Sequence, residues 1–537
     1  MSARKGIAPL LALTMLAFLV ACGGSSSPRA VAPPTGGFNN GNLNGTYVFS
    51  VSGIDASGFP LAVMGTFTAN GSGSITAGTV DMNGGEFSGP APNLSISSGS
   101  TYSVGLDGRG RATLAVSGSP FSSNKLLLDF VLSSSSHGLI IEFDGNGSGS
   151  GTIDLQAAGA TPTGSYAFIL SGATVGSSPT NWATVGNFTL TGATLAGTDD
   201  FNESGLIPFP NQSLTGNFAL GPSATPSTTL VTSGFGTLTF DVFAIDATHL
   251  KLIEMDSTAI LSGDAFSQPS TTQPTGTLAF TMNGALGSNP FAAGGFFTTN
   301  GTSISGTEDY TDGATVSSQS TPAPFTAAFA PGGTGRFTLG SFATFVGGSS
   351  YAAYPSSGGL LLLEIDSSGI TTGAAYTQTS PLPTLASSQG YGMNLSGINL
   401  GAATGSPVEV DDIAEFTAGG SGTLTAGITD ENSIATGPLF DLALSSGTYG
   451  TIDSVGRYGL SANAGTSSVS TLNGGFNLTL YTVDGTSFPF IEMDGGQIAT
   501  GVVVLQNSSA VTPALAHSQM FVSRTLVRPH AARQKKN

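Results

Sequence analysis

The chain has 537 residues, of which only 9% are charged, 78 are glycine and one is cysteine. This length exceeds what a single hydrophobic core usually supports and indicates several domains, while one cysteine excludes a disulfide framework within the chain. The net charge of -18 argues against a surface for nucleic acid, because all 32 acidic residues lie between residues 23 and 507 with only half of the 14 basic ones.

The first element along the chain is an export signal. Two basic residues precede an apolar stretch, residues 10–20, that is too short to span a bilayer, and the tetrapeptide Leu-Val-Ala-Cys then ends at Cys22. Residues 1–24 resemble a bacterial lipoprotein signal. The resemblance implies a signal peptide over residues 1–21, cleavage before Cys22, and lipidation of that cysteine with acyl chains such as palmitate.

The residue after the cysteine bears on the location of the protein. Each buried methylene contributes about 0.8 kcal/mol to membrane binding, so a cysteine with several acyl chains anchors a protein stably. In the lipoproteins that this segment resembles, an aspartate after the cysteine tends to retain the protein at the inner membrane. Gly23 stands there instead, so the resemblance implies the outer membrane or the cell surface. The alternative is an ordinary secretory signal with a chance cysteine.

Two segments flank the predicted folded part. Residues 22–44 are rich in glycine, serine, proline and asparagine, which predicts a flexible tether. Residues 508–537 contain five basic residues and no acidic one, which predicts a basic, disordered tail, with contact to anionic lipid as the alternative.

Four copies of one module of roughly 110 to 120 residues lie between these segments. The opening run from Gly45 to Gly53 alternates apolar with small or polar residues, and the same pattern returns three times further along the chain. The predicted modules span residues 45–157, 162–268, 275–378 and 388–507.

Three landmarks recur in every module: the aspartate of a Gly-x-x-Asp motif, the glutamate of an apolar-Glu-apolar-Asp motif, and a glutamine 14 residues after that glutamate. The constant, even offset predicts a hairpin of fixed register, because a slip of one residue would exchange its two faces. An asparagine also follows the aspartate by two residues in three modules. The landmarks are Asp81, Asp200, Asp309 and Asp430; Glu142, Glu254, Glu364 and Glu492; and Gln156, Gln268, Gln378 and Gln506.

Between the landmarks each module contains about eight short runs of alternating residues separated by turn residues, and none has a helical period. This pattern predicts an all-β protein whose modules are small antiparallel β-barrels or β-sandwiches. A barrel is favoured because closure removes exposed strand edges. The short linkers predict that the modules form a beaded rod.

The Glu-x-Asp pairs are the best catalytic candidates, because residues i and i+2 of a strand share a face. Paired carboxylates serve glycoside hydrolysis or bind cations. Their presence in all modules favours a structural glutamate, satisfied by the cross-strand glutamine or by an arginine, with the adjacent apolar residues in the core. Module four is the first place to seek a hydrolase site, because it has the extra acids Glu409, Asp411, Asp412 and Glu415.

Other candidate side chains are weaker. Asp144, Asn146 and Ser148 have the spacing of the first half of a calcium loop, but the later carboxylate is missing, so we favour a turn and predict no metal site. His137 and His249 are too isolated for metal binding. The remaining aromatic candidate, the single tryptophan, is either a sugar-stacking platform or a packed side chain. No cofactor is predicted.

These patterns favour a lipid-anchored cell-envelope protein with a structural or multivalent binding role, such as adhesion, and no enzymatic role. Its expected partners are the membrane, through the lipid, and an envelope or extracellular glycan or protein. Two alternatives stay open: ligand-carrying barrels of lipocalin- or avidin-like architecture for a small apolar molecule, and an envelope glycan hydrolase. A carrier requires open barrel interiors, whereas the favoured function predicts filled ones.

Overall fold

The computed structural model describes residues 37–509, except for 122, 223–226, 288, 313–315, 318–322, 333–334, 343–348, 402–406 and 465–474. The predicted signal peptide, Cys22 and nearly all of the basic tail lie outside the described residues. Within the described part of the chain, no helix is long and apolar enough to cross a membrane. One short 3-10 turn, Asn40–Asn42, precedes the first strand.

Module one is an antiparallel sheet that curls into a ring. Its strands are β1 (Asn44–Asp55), β2 (Pro60–Asn70), β3 (Ile75–Gly84), β4 (Ala91–Ile96), β5 (Thr101–Val104), β6 (Arg109–Ser117), β7 (Lys125–Leu132), β8 (His137–Glu142) and β9 (Gly147–Leu155). Strands β1 to β4 pair in chain order, as do β5 to β9, and β1 also pairs with β9. Pairing of β4 with β6 closes the ring, with β5 attached to β6.

Module two is a closed barrel of eight strands in chain order. They are β10 (Gly164–Thr174), β11 (Asn181–Thr191), β12 (Thr194–Glu203), β13 (Phe209–Asn217), β14 (Thr228–Thr232), β15 (Gly236–Ala244), β16 (His249–Glu254) and β17 (Ala259–Ser267). Module three repeats this ring, with the short strand β21 attached to β20. Its strands are β18 (Gly276–Leu286), β19 (Asn289–Thr299), β20 (Ser303–Thr311), β21 (Val316–Ser317), β22 (Ala323–Pro331), β23 (Phe337–Phe342), β24 (Ser349–Ser356), β25 (Gly359–Glu364) and β26 (Gly369–Thr377).

Module four is again a closed eight-stranded barrel, so the prediction of tandem antiparallel β modules is confirmed, and the strand pairing selects barrels over sandwiches. Its strands are β27 (Gly390–Asn399), β28 (Val408–Ala418), β29 (Leu424–Asn432), β30 (Leu439–Tyr449), β31 (Arg457–Ala464), β32 (Phe476–Tyr481), β33 (Ser487–Glu492) and β34 (Gln497–Leu505).

Strands near the start of each module are buried on both faces. In β10, Tyr166 and Phe168 fill the barrel interior, whereas Ala167 and Ile169 belong to a cluster shared with other modules. In β28 all 11 residues are buried. Such strands lie between two packed layers, one inside their own barrel and one outside it.

The four modules close into a ring, so the predicted beaded rod is wrong. One apolar cluster, which includes Met64 and Ile253, joins module one to module two, and another, which includes Val502 and Ile141, joins module four to module one. One continuous cluster joins modules two, three and four. Ile141 and Ile253, which we expected in the core of their own modules, therefore lie between modules.

The folded part begins earlier than the sequence suggests. Phe38 and Leu43 are fully buried in the interior cluster of module one, and Tyr102 donates a hydrogen bond to the Leu43 carbonyl (2.7 Å). Residues 37–44, which were assigned to the flexible tether, are thus packed against module one.

The barrels have the same orientation in the ring, which gives it two rims. At the near rim the described chain starts and ends: Asn42 Nδ2 donates to the carbonyl of Ser508 (3.2 Å). The opposite rim, here called the loop rim, carries the Glu-x-Asp turn of each module. In modules one and two it also carries the turn after the first strand and the loop after the third strand. In module one these segments contact each other, as Ala56 N donates to Asn146 O and Gly85 N to Pro60 O.

Candidate functional site at the module interfaces and the loop rim

In modules one, two and four, the asparagine after the motif aspartate fastens the module to the Glu-x-Asp turn of its neighbour in the ring. Asn83 Nδ2 donates to the carbonyls of Glu254 and Ala259 (2.9 and 3.0 Å). Asn202 Nδ2 contacts Glu364 O and Gly369 O in the same way, and Asn432 Nδ2 contacts Glu142 O and Gly147 O, which joins module four to module one. Module three has threonine at this position. The repeated asparagine is therefore a module-joining residue.

The closing glutamines serve the same purpose at the near rim. Each donates its side-chain N–H to a backbone carbonyl of the following module, and the last donates to the first. The bonds are Gln156 to Ala244 (2.7 Å), Gln268 to Pro355 (2.9 Å), Gln378 to Thr482 (2.6 Å) and Gln506 to Leu132 (3.0 Å).

Three of the four motif aspartates form ion pairs across an interface. Arg336 binds Asp200 through two bonds (2.7 and 2.5 Å), and Arg457 binds Asp309 in the same manner (2.6 and 2.8 Å). Arg109 of module one binds Asp430 of module four (2.8 Å). The arginines that we expected beside the motif glutamates instead hold aspartates of the preceding module.

The fourth aspartate, Asp81, has no arginine among the described residues. Burial, first, and the nearby Asp241 of module two raise its pKa to about 8. The Asn93 backbone N–H donates to Asp81 Oδ1 (2.5 Å). The interface between modules one and two thus replaces an ion pair with two neighbouring buried acids, whose burial and mutual repulsion disfavour ionisation.

The motif glutamates are buried with at most 1% of their surface exposed, and burial raises the pKa of each. The value reaches about 11 for Glu254 and about 7 for Glu364. Glu254 accepts hydrogen bonds from Asp256 N (2.8 Å) and Asn83 Nδ2 (2.9 Å). These partners are not the cross-strand glutamine that we expected.

The aspartate of each Glu-x-Asp pair caps the turn that follows it. Asp256 accepts from the backbone N–H groups of Thr239 and Thr258, both at 2.8 Å. Asp366 accepts from Ser350 N (2.6 Å) and Ser368 N (2.9 Å). Turn capping explains why the pair recurs, since every module contains the same turn.

The candidate calcium residues point to separate partners. Asp144 accepts from Asn146 N (2.7 Å) and Leu127 N (3.1 Å), while Ser148 Oγ donates to Asp411 Oδ2 of module four (2.6 Å). The described residues contain no group of three or more His, Cys, Asp or Glu side chains placed to hold a metal ion.

The extra acids of module four face two directions. Asp411 and Glu415 are buried against module one, and burial raises their pKa values to about 7 and about 9. Asp412 lies beside Glu431 and Asp411, and burial, followed by these neighbours, raises its pKa strongly. The interface that closes the ring is therefore rich in buried carboxyl groups.

Sequence reasoning missed one buried polar network, at the interface between modules one and two. Lys251 Nζ and His249 Nε2 both contact Asp264 Oδ1 (2.9 and 2.7 Å), and His137 Nδ1 contacts Asp154 Oδ1 (2.7 Å). Module three carries leucine and alanine at the positions of Lys251 and Asp264. The charged pair at these strand positions of module two was the sequence signal that could have revealed the network.

Large side chains fill the barrel interiors. In module one, Tyr47, Phe49, Phe67 and Phe130 are among the largest fully buried side chains and belong to one interior cluster. Trp182 lies at 3% exposure in the interior of module two, against Phe201. An eight-stranded barrel is just wide enough for its own side chains, and this packing does not support the carrier alternative.

The loop rim of module two exposes several apolar side chains next to each other. Leu206 is 50% exposed, Ile207 82% and Phe209 37%. Beside them, between modules two and three, an open cleft has about 370 Å³ of free space, including its mouth. Contiguous exposed apolar groups beside a cleft are typical of contact surfaces.

Comparisons with known proteins add no family. No family model and no curated protein matches the chain. Two mutant forms of the vaccine antigen transferrin binding protein B from Haemophilus parasuis align at 9% and 10% identity, over 71% and 70% of this chain and 86% and 84% of theirs, with TM-scores of 0.17 and 0.16. The translocation pore of the P pilus usher aligns at 8% identity over 87% of this chain and 99% of its own, with a TM-score of 0.13. Scores this low do not establish a shared fold.

Proposed function

We propose that this protein is a lipid-anchored scaffold of the bacterial cell envelope, held at the outer membrane or cell surface through Cys22, that presents its loop rim for multivalent binding. One observation carries the proposal. The described chain starts and ends together at the near rim, where Asn42 contacts Ser508, so an anchor before residue 37 leaves the loop rim facing away from the membrane.

The interfaces support a binding role over a catalytic one. The repeated Glu, Asp, Asn and Gln residues are engaged in turns and module contacts, as their bonds show. What varies among modules is the sequence of the loop after the third strand, which lies on the loop rim in modules one, two and four. Three such loops in one ring suit weak contacts that gain avidity from linkage.

The anchor is tested by metabolic labelling with an alkyne-tagged fatty acid in the native host, comparing the wild-type chain with Cys22→Ser. We expect label and membrane association in the wild type and neither in the variant. A wild-type protein that takes up no label, or a C22S variant that is still labelled, would refute the anchor. Protease treatment of intact cells then tests orientation, with cleavage expected in loop-rim loops before near-rim linkers.

A further inference from the structure

We propose that the cleft between modules two and three on the loop rim binds a neutral saccharide. This inference rests on the proposed binding role of the loop rim, but it does not depend on the lipid anchor. The cleft lies between the loop after β12 and the Glu-x-Asp turn of module three, and its walls include Asn181, Glu203, Leu206, Asp366 and Ile370.

The two walls are held together rigidly. Asn202 donates from the first wall to the carbonyls of Glu364 and Gly369 on either side of the turn (2.9 and 3.0 Å). Asp366 holds that turn from within by accepting from Ser350 N and Ser368 N. A cleft whose walls are fixed in the free protein loses little conformational entropy when a ligand binds.

Polar groups in the cleft have capacity left for a ligand. Glu203 Oε1 accepts from Thr180 Oγ1 (3.1 Å), and within the described residues Oε2 accepts no hydrogen bond. Ser204 and Ser367 also line the cleft, and their hydroxyls make no hydrogen bond to another described residue. A carboxylate oxygen and two hydroxyls accept and donate in the way that neighbouring sugar hydroxyls require.

The apolar part of the wall fits the same ligand class. Leu206 lines the cleft, and Ile207 and Phe209 continue the apolar surface outside it. A sugar ring presents C–H groups on its faces and hydroxyls at its edge, so it needs an apolar contact next to polar ones. Both occur within one loop.

The negative charge of the cleft determines which class of saccharide it favours. Glu203 and Asp366 make the cleft acidic, and none of the described residues that line it is basic. Like charges brought together in a partly buried site are costly, so uronic and sialic acids are disfavoured relative to neutral sugars. A cation is a poorer match, because both oxygens of Asp366 already accept backbone N–H bonds and Ca²⁺ needs six to eight oxygen ligands.

The same pair of loops meets at two other interfaces, where Asn83 and Asn432 fasten the turn. Their loops differ: the residues after Asn83 are Gly-Gly-Glu-Phe, and those after Asn432 are Ser-Ile-Ala-Thr. We place the saccharide contact at modules two and three, where Glu203 and Leu206 line one cleft.

The test uses the full-length chain purified in detergent and an array of immobilised bacterial glycans, both neutral and acidic, followed by titration of the best neutral oligosaccharide. We expect binding to neutral glycans. Glu203→Gln should weaken it about tenfold, the loss typical of a hydrogen bond to a charged group. Leu206→Ser should weaken it several-fold, while Leu106→Ser, which alters a leucine of similar exposure (56%) on the near rim, should leave it unchanged.

The outcomes separate this inference from the proposed function. Binding to no neutral glycan overturns the saccharide assignment. Binding that Glu203→Gln and Leu206→Ser leave intact overturns the cleft as its location, although the wild-type protein still binds glycan. Thermal unfolding of each variant, expected within 2 °C or so of the wild type because all three positions are partly exposed, shows that a loss of binding is not a loss of fold. Failure of the fatty-acid labelling would refute the anchor and leave these results untouched.

Discussion

The seam between modules four and one closes the ring without a covalent link, and Arg109 is its central cation. Its guanidinium contacts Asp430 (2.8 Å), Asp441 (2.9 Å) and Asp107 (3.1 Å), while its own side chain is 11% exposed. Arg109→Met leaves Asp107 and Asp430 buried without the guanidinium that contacts them, and only the electrostatic effect of Arg111 on Asp430 remains. Breaking a buried ion pair from one side costs about 3 to 5 kcal/mol.

The expected cost lies at the lower end of that range. Burial raises the pKa of Asp430, so the carboxyl group can take up a proton when Arg109 is lost, and Asp441 is 35% exposed and stays hydrated. We expect Arg109→Met to weaken seam closure by about 3 kcal/mol, which corresponds to roughly 100-fold in the closing equilibrium.

Hydrogen exchange at two backbone amides measures this opening directly. Asn507 N donates to Ser133 O across the seam (2.7 Å), and Thr379 N donates to Val483 O between modules three and four (3.0 Å). In Arg109→Met, exchange should accelerate at Asn507 and not at Thr379. The matched variant Arg457→Met, at the interface of modules three and four, should not accelerate exchange at Asn507.

A second replacement tests the cause. Adding Asp430→Asn to Arg109→Met removes the buried carboxylate charge that Arg109 no longer pairs. The side-chain oxygen of the new asparagine can still accept the hydrogen bond from Asp441 N. The double variant should recover part of the lost protection. The reasoning would be refuted if the Asn507 amide exchanged in Arg109→Met at the wild-type rate. It would also be refuted if this amide exchanged as fast in the double variant as in the single one.

Three further predictions concern the other interface groups. Asn432→Ala removes the bonds to the Glu-x-Asp turn of module one and should lower the free energy of unfolding by about 1 to 3 kcal/mol in urea titration; a change below about 0.5 kcal/mol would contradict this. Thermal stability should fall as pH rises from about 5 to about 9, because the raised pKa values of Asp411 and Glu415 (about 7 and about 9) keep these groups protonated in the folded state after they ionise in the unfolded chain. In calorimetry, the melting temperature of the double variant Asp411→Asn, Glu415→Gln should depend less on pH than that of the wild type. An unchanged pH dependence would show that these two seam residues are not its source. Lys251→Leu should lower the free energy of unfolding by about 3 kcal/mol, because Asp264 is then buried with only His249 as its partner. Adding Asp264→Ala, which gives the leucine and alanine of module three, should restore the stability. Equal unfolding midpoints for the single and double variants would contradict this.

Local patterns were sufficient to predict the modules. Alternation in runs such as Tyr166 to Leu170 reflects a strand with an interior face, and the constant spacing from Glu254 to Gln268 reflects a hairpin of fixed register. Both depend on residues close together in the chain, and the repeat displayed them four times. The same repetition favoured a structural function for the landmark residues, because a feature present in every module is expected to serve the fold that the modules share.

The partners of those landmarks could not be predicted in this way. Arg109 follows a turn of module one, yet it binds Asp430, which lies 321 residues away. Gln156 was expected to bond within its own hairpin, and it reaches the carbonyl of Ala244 in the next module instead. A polar side chain specifies that it needs a partner, but its position in a strand does not say which chain segment supplies one.

The sequence by itself determined the all-β composition, the number of modules and the strand register, because each depends on residue types at short, repeated spacing. Only the tertiary structure decided that the modules form a ring, that the repeated polar residues join them, and that a cleft opens beside Leu206. Those features depend on packing between distant surfaces, where burial of apolar faces such as those of Met64 and Ile253 and the pairing of buried charges determine which surfaces meet.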